Sequence, residues 1–170
     1  KFTIRNLELY KSTSSEGVSL IDIIDKTVSA MGSRLLKRWL AFPLKTQYKI
    51  NQRLNTVSHL KEHPSLQNEI RSYLKEINDL ERLVSKVATQ KINPREILQL
   101  KNSLDIIYSC KETLNNSKHE ALVTIADHLN PCVVLRSKID SSISEEPPVN
   151  ILKGNAIKSG YSDELDEYRK

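Results

Sequence analysis

Apolar residues recur along this chain at helical spacing, in short blocks separated by turn residues. Between Ala30 and Ala41 they are Met31, Leu35, Leu36, Trp39 and Leu40. Those positions fall at i, i+4, i+5, i+8 and i+9, one stripe of a helix. Phe42-Pro43 closes it, because the residue before proline is driven out of the helical region. Residues 19–25 carry Leu20, Ile23 and Ile24 at the same spacing. Thr46 is placed to cap a helix reaching about residue 61, with Ile50, Leu54, Val57 and Leu60 on one face. Residues 64–77 repeat the pattern through Leu66, Ile70, Tyr73, Leu74 and Ile77, and residues 79–88 through Leu80, Leu83, Val84 and Val87. In Asn93-Pro94-Arg95-Glu96, Asn is the cap, Pro the first helical residue, and Glu the third-position partner of a capping box. The helix it opens runs to about residue 114 through Ile97, Leu100, Leu104 and Ile107. Two more are predicted over 118–129 and 131–143.

The ends have a different texture. Residues 2–9 read as a strand, with Phe2, Ile4, Leu7 and Leu9 as apolar points, and residues 11–17 as a Ser-rich surface loop. Glu145-Glu146-Pro147-Pro148 cannot be helix interior. Residues 151–157 read as two short strands around the Gly154-Asn155 turn. Ser162 caps a last helix, with Asp163 and Glu164 in its first turn where acids suit the helix dipole. That helix is predicted to be still running at Lys170. The expected architecture is one all-α domain over residues 1–170, a multi-helix bundle of about seven helices. The strand at 2–9 precedes the bundle at 19–143; a Pro-rich loop and hairpin at 145–160 and the helix from 162 follow it.

Composition narrows the class. Of 170 residues, 38% are hydrophobic, 5% aromatic and 28% charged, too apolar for a disordered chain. Four glycines exclude a collagen-like repeat. No run of about 18 apolar residues is present to span a membrane. A net charge of +5 permits an anionic partner without demanding one. Lys and Arg are interspersed with Asp and Glu rather than concentrated, which argues against a dedicated nucleic-acid face. Cys110 and Cys132 lack CxxC spacing, and a reduced intracellular chain is the simplest reading. The start at Lys1-Phe2-Thr3-Ile4, without an initiator Met, reads as a piece of something longer.

Candidate chemistry is sparse. There is no GxxxxGK[ST] loop, and no GxGxxG follows a strand. His59 and His63 have metal-compatible spacing, but no third ligand accompanies them, so they read as a solvated pair. Asp79 and Glu81 stand with Arg82 at a helix start, where capping and the dipole account for the acids. Arg34 and Arg38 share a helix face at i, i+4 beside Lys37. They serve as a rim or an internal ion pair, or alternatively as a phosphate or partner contact. Trp39 lies in the apolar stripe and is expected in the core. Lys153 and Lys158, on the predicted hairpin, are candidate contacts to a nucleic-acid backbone. No catalytic, cofactor-binding or metal-ligating residue is assigned. The structural and coupling candidates are Arg34, Trp39, Asp79, Glu81, Arg82 and Asn93.

Several segments, in order, resemble one family, the MutS DNA mismatch-repair proteins. Ile4-Arg5-Asn6-Leu7-Glu8-Leu9 resembles the strand that opens the family's core (lever) domain. The most specific match joins residues 19–27 to Met31-Gly32-Ser33-Arg34-Leu35-Leu36-Lys37-Arg38-Trp39-Leu40-Ala41-Phe42-Pro43-Leu44. Asp79-Leu80-Glu81-Arg82-Leu83, Asn93-Pro94-Arg95-Glu96, Pro147-Pro148 and Gly160-Tyr161 with residues 164–167 follow. Gly154-Asn155 stands where many members have Gly-Gly, and Asn tolerates the left-handed region the turn needs.

The resemblance implies the first half of the core domain plus the start of a lever helix, with the clamp inserted just beyond Lys170. It implies a coupling role, linking an ATPase domain to DNA clamp and mispair-binding domains elsewhere. ATP and Mg would belong to the full-length protein, not to this fragment. Its partners would be mismatched double-stranded DNA, a second protomer and other repair proteins. No membrane is expected, and the setting would be the bacterial cytoplasm, close to the nucleoid. The fragment has no counterpart of the mispair-reading Phe-x-Glu motif or of a Walker motif. The alternatives are a helical protein-interaction module and the core of a related protein acting outside mismatch repair.

Overall fold

The structure, a computed structural model, describes residues 2–169. They are all-α: ten α-helices and one 3-10 turn, with an isolated bridge between Ile143 and Ile157 as their β pairing. The chain divides into two compact units, one through Lys75 and one from Glu76.

The first unit holds α1 (Phe2–Asn6), α2 (Leu20–Ile24), α3 (Ala30–Ala41), α4 (Gln47–Glu62) and almost all of α5 (Pro64–Glu76). The expected strand at 2–9 is a helix instead. A lone strand must pair its backbone groups with a neighbour, and no strand among the described residues offers itself. The segment satisfies them locally: Leu7 N–H donates to Thr3 O and Leu9 N–H to Ile4 O. It then caps α2 from outside. The orphan amides of Leu20 and Ile21 donate to the carbonyls of Glu8 and Leu9 at 3.1 and 3.0 Å.

Burial in this unit is shallow. Ser19 and Ile21 are buried, while α3, α4 and α5 carry no fully buried residue. Trp39 is 42% exposed, contrary to its expected place in the core. Periodicity located its helix, but the stripe is only partly covered, with Met31, Leu36 and Leu40 half-buried and Leu35 and Trp39 exposed. The Trp39 ring is instead covered by a guanidinium, with Arg53 Cζ 3.6 Å from its centroid.

The second unit is a bundle around α7 (Pro94–Asn116), the longest helix, with α6 (Leu80–Ala88), α8 (Glu120–His128) and α9 (Val133–Ser142) packed on it. Leu83, Leu100 and Leu104 form its centre, with Leu80, Ile107 and Cys132 against them. Full burial of each such Leu is worth about 1.5–3 kcal/mol. Leu114, Leu122, Ala126 and Ile139 extend the buried row along α7, α8 and α9.

The expected hairpin at 151–157 does not form. Ile151–Lys153 is a 3-10 turn capped by Asn150, whose side chain accepts from Leu152 N–H. The Gly154-Asn155 turn is real, with φ of 73° and 57°, so Asn155 does occupy the left-handed region. It does not fold residues 156–158 back on 151–153. They pair with the end of α9, where Ser144 N–H donates to Ala156 O and Lys158 N–H to Ser142 O. A three-residue turn has too few backbone groups to compete with that longer-range pairing. Ser162 caps α10 (Asp163–Tyr168) as expected, accepting from Leu165 N–H at 3.4 Å. The helix closes at Tyr168 with Arg169 as its cap. The expectation that it continues at Lys170 lies outside the described residues.

Candidate functional site

The side chains with most to do in this molecule are helix-end groups, and their chemistry is that of holding. In the first unit Asp25 is the hub. Its carboxylate accepts from Thr27 N–H (3.1 Å), Thr27 Oγ1 (2.5 Å) and Ser33 Oγ (2.5 Å). The Ser33 hydroxyl, followed by the hydroxyl and amide of Thr27, holds the Asp25 carboxyl below the usual carboxylate range. Ser29 caps α3 by accepting from Gly32 N–H at 3.2 Å. A Cβ on Gly32 would lie 3.1 Å from Ser29 Oγ and 3.3 Å from Thr27 Cβ. Glycine there lets the capping loop lie against the helix. Asp22 accepts from both the amide and the hydroxyl of buried Ser19, which lowers its pKa also. Tyr10 Oη donates to Lys37 O at 2.5 Å. The segment from Ser19 to Gly32, which overlaps the most specific match of the family resemblance (residues 19–27 joined to 31–44), is thus a set of caps that fixes how α2 enters α3.

Arg34 is half-buried on α3. Beside this helix lies an open cleft of about 490 Å³ lined by Asp22, Asp25, Thr27, Ser29, Ser33 and Lys37 among others. Both of its carboxylates accept from neighbouring hydroxyls and amides, and Lys37 lines the cleft beside them.

In the second unit Asp79 caps α6, accepting from Arg82 N–H at 3.3 Å and lying 3.4 Å from Arg82 Nε. The Arg82 side chain is 81% exposed, so this pair contributes little. Glu81 is an exposed first-turn acid. Asn93 and Glu96 form the expected reciprocal box at 3.0 and 3.1 Å, with Pro94 in the first helical position. Lys86 of α6 pairs with Glu96, and that contact, followed by the Asn93 amide, pulls the Glu96 carboxyl below its usual range. Arg95 Nε donates to Pro147 O at 2.9 Å, tying the Pro-rich loop to the start of α7.

Two arrangements escaped the sequence reading. Ser103, fully buried on α7, receives both donors of Asn78, the backbone N–H at 3.1 Å and Nδ2 at 3.2 Å. Lys101 and Asp105 on α7 meet Arg136 and Asp140 on α9. Lys101 Nζ lies 3.3 Å from Asp105 and 3.1 Å from Asp140, and Arg136 Nε donates to Asp105 at 2.7 Å. The signal for the second was present: Lys101/Asp105 and Arg136/Asp140 are i, i+4 pairs in the same charge order.

Lys153 stands exposed on the 3-10 turn; Lys158 is half-buried in the bridge segment and acts electrostatically on Asp140. His59 and His63 stack with centroids 4.1 Å apart. Among the described residues no group of three or more His, Cys, Asp or Glu is arranged to hold a metal ion. No helix there is long and apolar enough to cross a membrane.

Known proteins align with this arrangement along its whole length. The family model for MutS domain III matches residues 2–169. A DNA mismatch repair protein MutS from Christiangramia forsetii is 56% identical over 99% of the chain, which covers 19% of that protein. The corresponding protein of Flavobacterium johnsoniae is 52% identical over 99% of the chain and 20% of its own length. That of Bacteroides fragilis is 45% identical over the entire chain and 20% of its own length. The chain thus spans about one-fifth of the length of these relatives.

Proposed function

The chain belongs to the MutS domain III family, and on that footing we propose that it is the coupling core of a DNA mismatch-repair protein. In this role its helices pass strain between an ATP-hydrolysing part and the parts that clamp DNA and read a mispair. The observation that supports it best is the distribution of polar side chains. Asp25, Ser29, Asp79, Asn93 and Ser103 are all used on helix ends and helix contacts. Transmission between sites needs stiff elements whose ends are fixed to one another. Such an element gains nothing from a reactive group.

ATP and magnesium belong, in this reading, to another part of the protein. Two features support that placement. The starts of α3, α6 and α7 are occupied by their own caps, and Asp22 and Asp25 line the cleft beside α3. Mismatched duplex and a second protomer are partners of the whole assembly, in the cytoplasm. Trp39 with Arg53, and α10 after Ser162, are the pieces we assign to transmission.

The test is a titration of the chain against matched and mismatched duplexes at two salt concentrations. The expected result is weak binding that falls steeply with salt and is equal for the two duplexes. Tight binding that prefers the mispair would place recognition within these residues and overturn the assignment.

A further inference from the structure

We infer that the direction of α10 is set by a relay that begins on α7 and crosses α9, with the Asp140 carboxylate as its charge-sensitive link. The inference deepens the coupling reading but stands on its own geometry. α10 has six residues, none of them buried. With no buried face, it is placed by the polar contacts around it rather than by apolar packing.

Each step of that hold is visible. Lys101 of α7 bridges Asp105 on its own helix and Asp140 on α9. Arg136 of α9 returns to Asp105, and its guanidinium lies 5.3 Å from the Tyr108 ring of α7. The end of α9 then pairs with the bridge segment: Lys158 N–H donates to Ser142 O at 2.8 Å, Ser144 N–H to Ala156 O at 3.0 Å, and Ser144 Oγ to Asn155 O at 2.7 Å. Arg169, at the far end of α10, reaches back. Its Nη2 donates to Ile157 O at 3.0 Å, and its Nη1 lies 3.2 Å from Asp166 Oδ1. Asp166 in turn accepts from Gly160 N–H. The connection between α9 and α10 is therefore pinned on both sides.

Asp140 is the weak point. The groups facing it are Lys101 from α7 and Lys158 from the bridge segment. Its side chain is 63% exposed and that of Lys101 24%, so salt screens the attraction. Asp105 keeps both Lys101 and Arg136 when Asp140 is neutralised; only the C-terminal half of α9, next to the bridge segment, loses its tie.

Amide hydrogen exchange on the chain tests this. With Asp140→Asn, the amides of α10, Ser144 and Lys158 are expected to exchange about two- to fivefold faster, with central α7 amides unchanged. The unaltered chain in about 1 M salt is expected to approach the same rates without any substitution. The charge swap Lys101→Asp with Asp140→Lys is expected to restore protection relative to either single change. Unchanged α10 exchange in Asp140→Asn, or α10 amides unprotected in the unaltered chain, would overturn the relay. So would a rise shared equally by α7. Failure of the duplex titration above would leave these rates untouched, so the two readings fail separately.

Discussion

The Ser103 hydroxyl accepts two hydrogen bonds from one residue, Asn78, and donates its own proton to Gln99 O at 2.9 Å. A fully buried hydroxyl thereby has every bond satisfied, and the turn before α6 is fixed to the middle of α7. Ser103→Ala removes the acceptor and leaves the Asn78 amide facing an apolar surface. The expected loss is about 1–3 kcal/mol in chemical denaturation. Asn78→Ala in the Ser103→Ala background is expected to cost much less than alone, because the two act as a unit.

Packing depth differs between two large residues that share the same sequence signature. Leu104 is 6% exposed in the centre of the second unit. Leu104→Ala is expected to cost about 2–5 kcal/mol. Trp39 is 42% exposed under Arg53. Trp39→Ala is expected to cost about 1–2 kcal/mol, below the about 3–5 kcal/mol of a buried aromatic. Denaturation of the two variants side by side checks the order.

Gly32 meets the capping loop on its Cβ side. Valine there would drive Ser29 and Thr27 away and open the cap of α3. Gly32→Val is expected to lose about 1–3 kcal/mol, with faster amide exchange confined to the first turn of α3. A stability equal to the parent would show that the loop yields freely.

Acid should act on the caps before it acts on the core. The Asp25 and Glu96 carboxyls are held below their ordinary values, by Ser33 and by Lys86 respectively. A group whose folded pKa is depressed stabilises the fold above its unfolded pKa. It loses that contribution as pH falls through the folded value. Stability is therefore expected to be level from pH 7 to about 5 and to fall below about 4. Asp25→Asn is expected to flatten part of that fall in an acid titration followed by circular dichroism.

Helix positions were legible because they rest on local chemistry. The Asn93-Pro94-Arg95-Glu96 box and the Ser162 cap formed where their side chains indicated, and α3 has the predicted bounds. The strand at 2–9 and the hairpin at 151–157 were misread because β structure depends on a partner, which the segment itself does not name. The Trp39 error is of the same kind: a stripe shows which face is apolar, not what covers it. Asn78–Ser103 could not have been found, because it joins residues 25 apart through one small hydroxyl. The Lys101–Asp140 network could have been found, from two helical charge pairs of the same order.

The central claim is that these helices transmit rather than react, and one substitution in the full-length protein tests it. Asn93→Ala loosens the start of α7 without touching any group assigned to ATP or DNA. The account predicts that basal ATP hydrolysis stays within about twofold of the parent, while its response to mismatched duplex is largely lost. A full response to the mispair, or loss of basal hydrolysis in a folded variant, would contradict it.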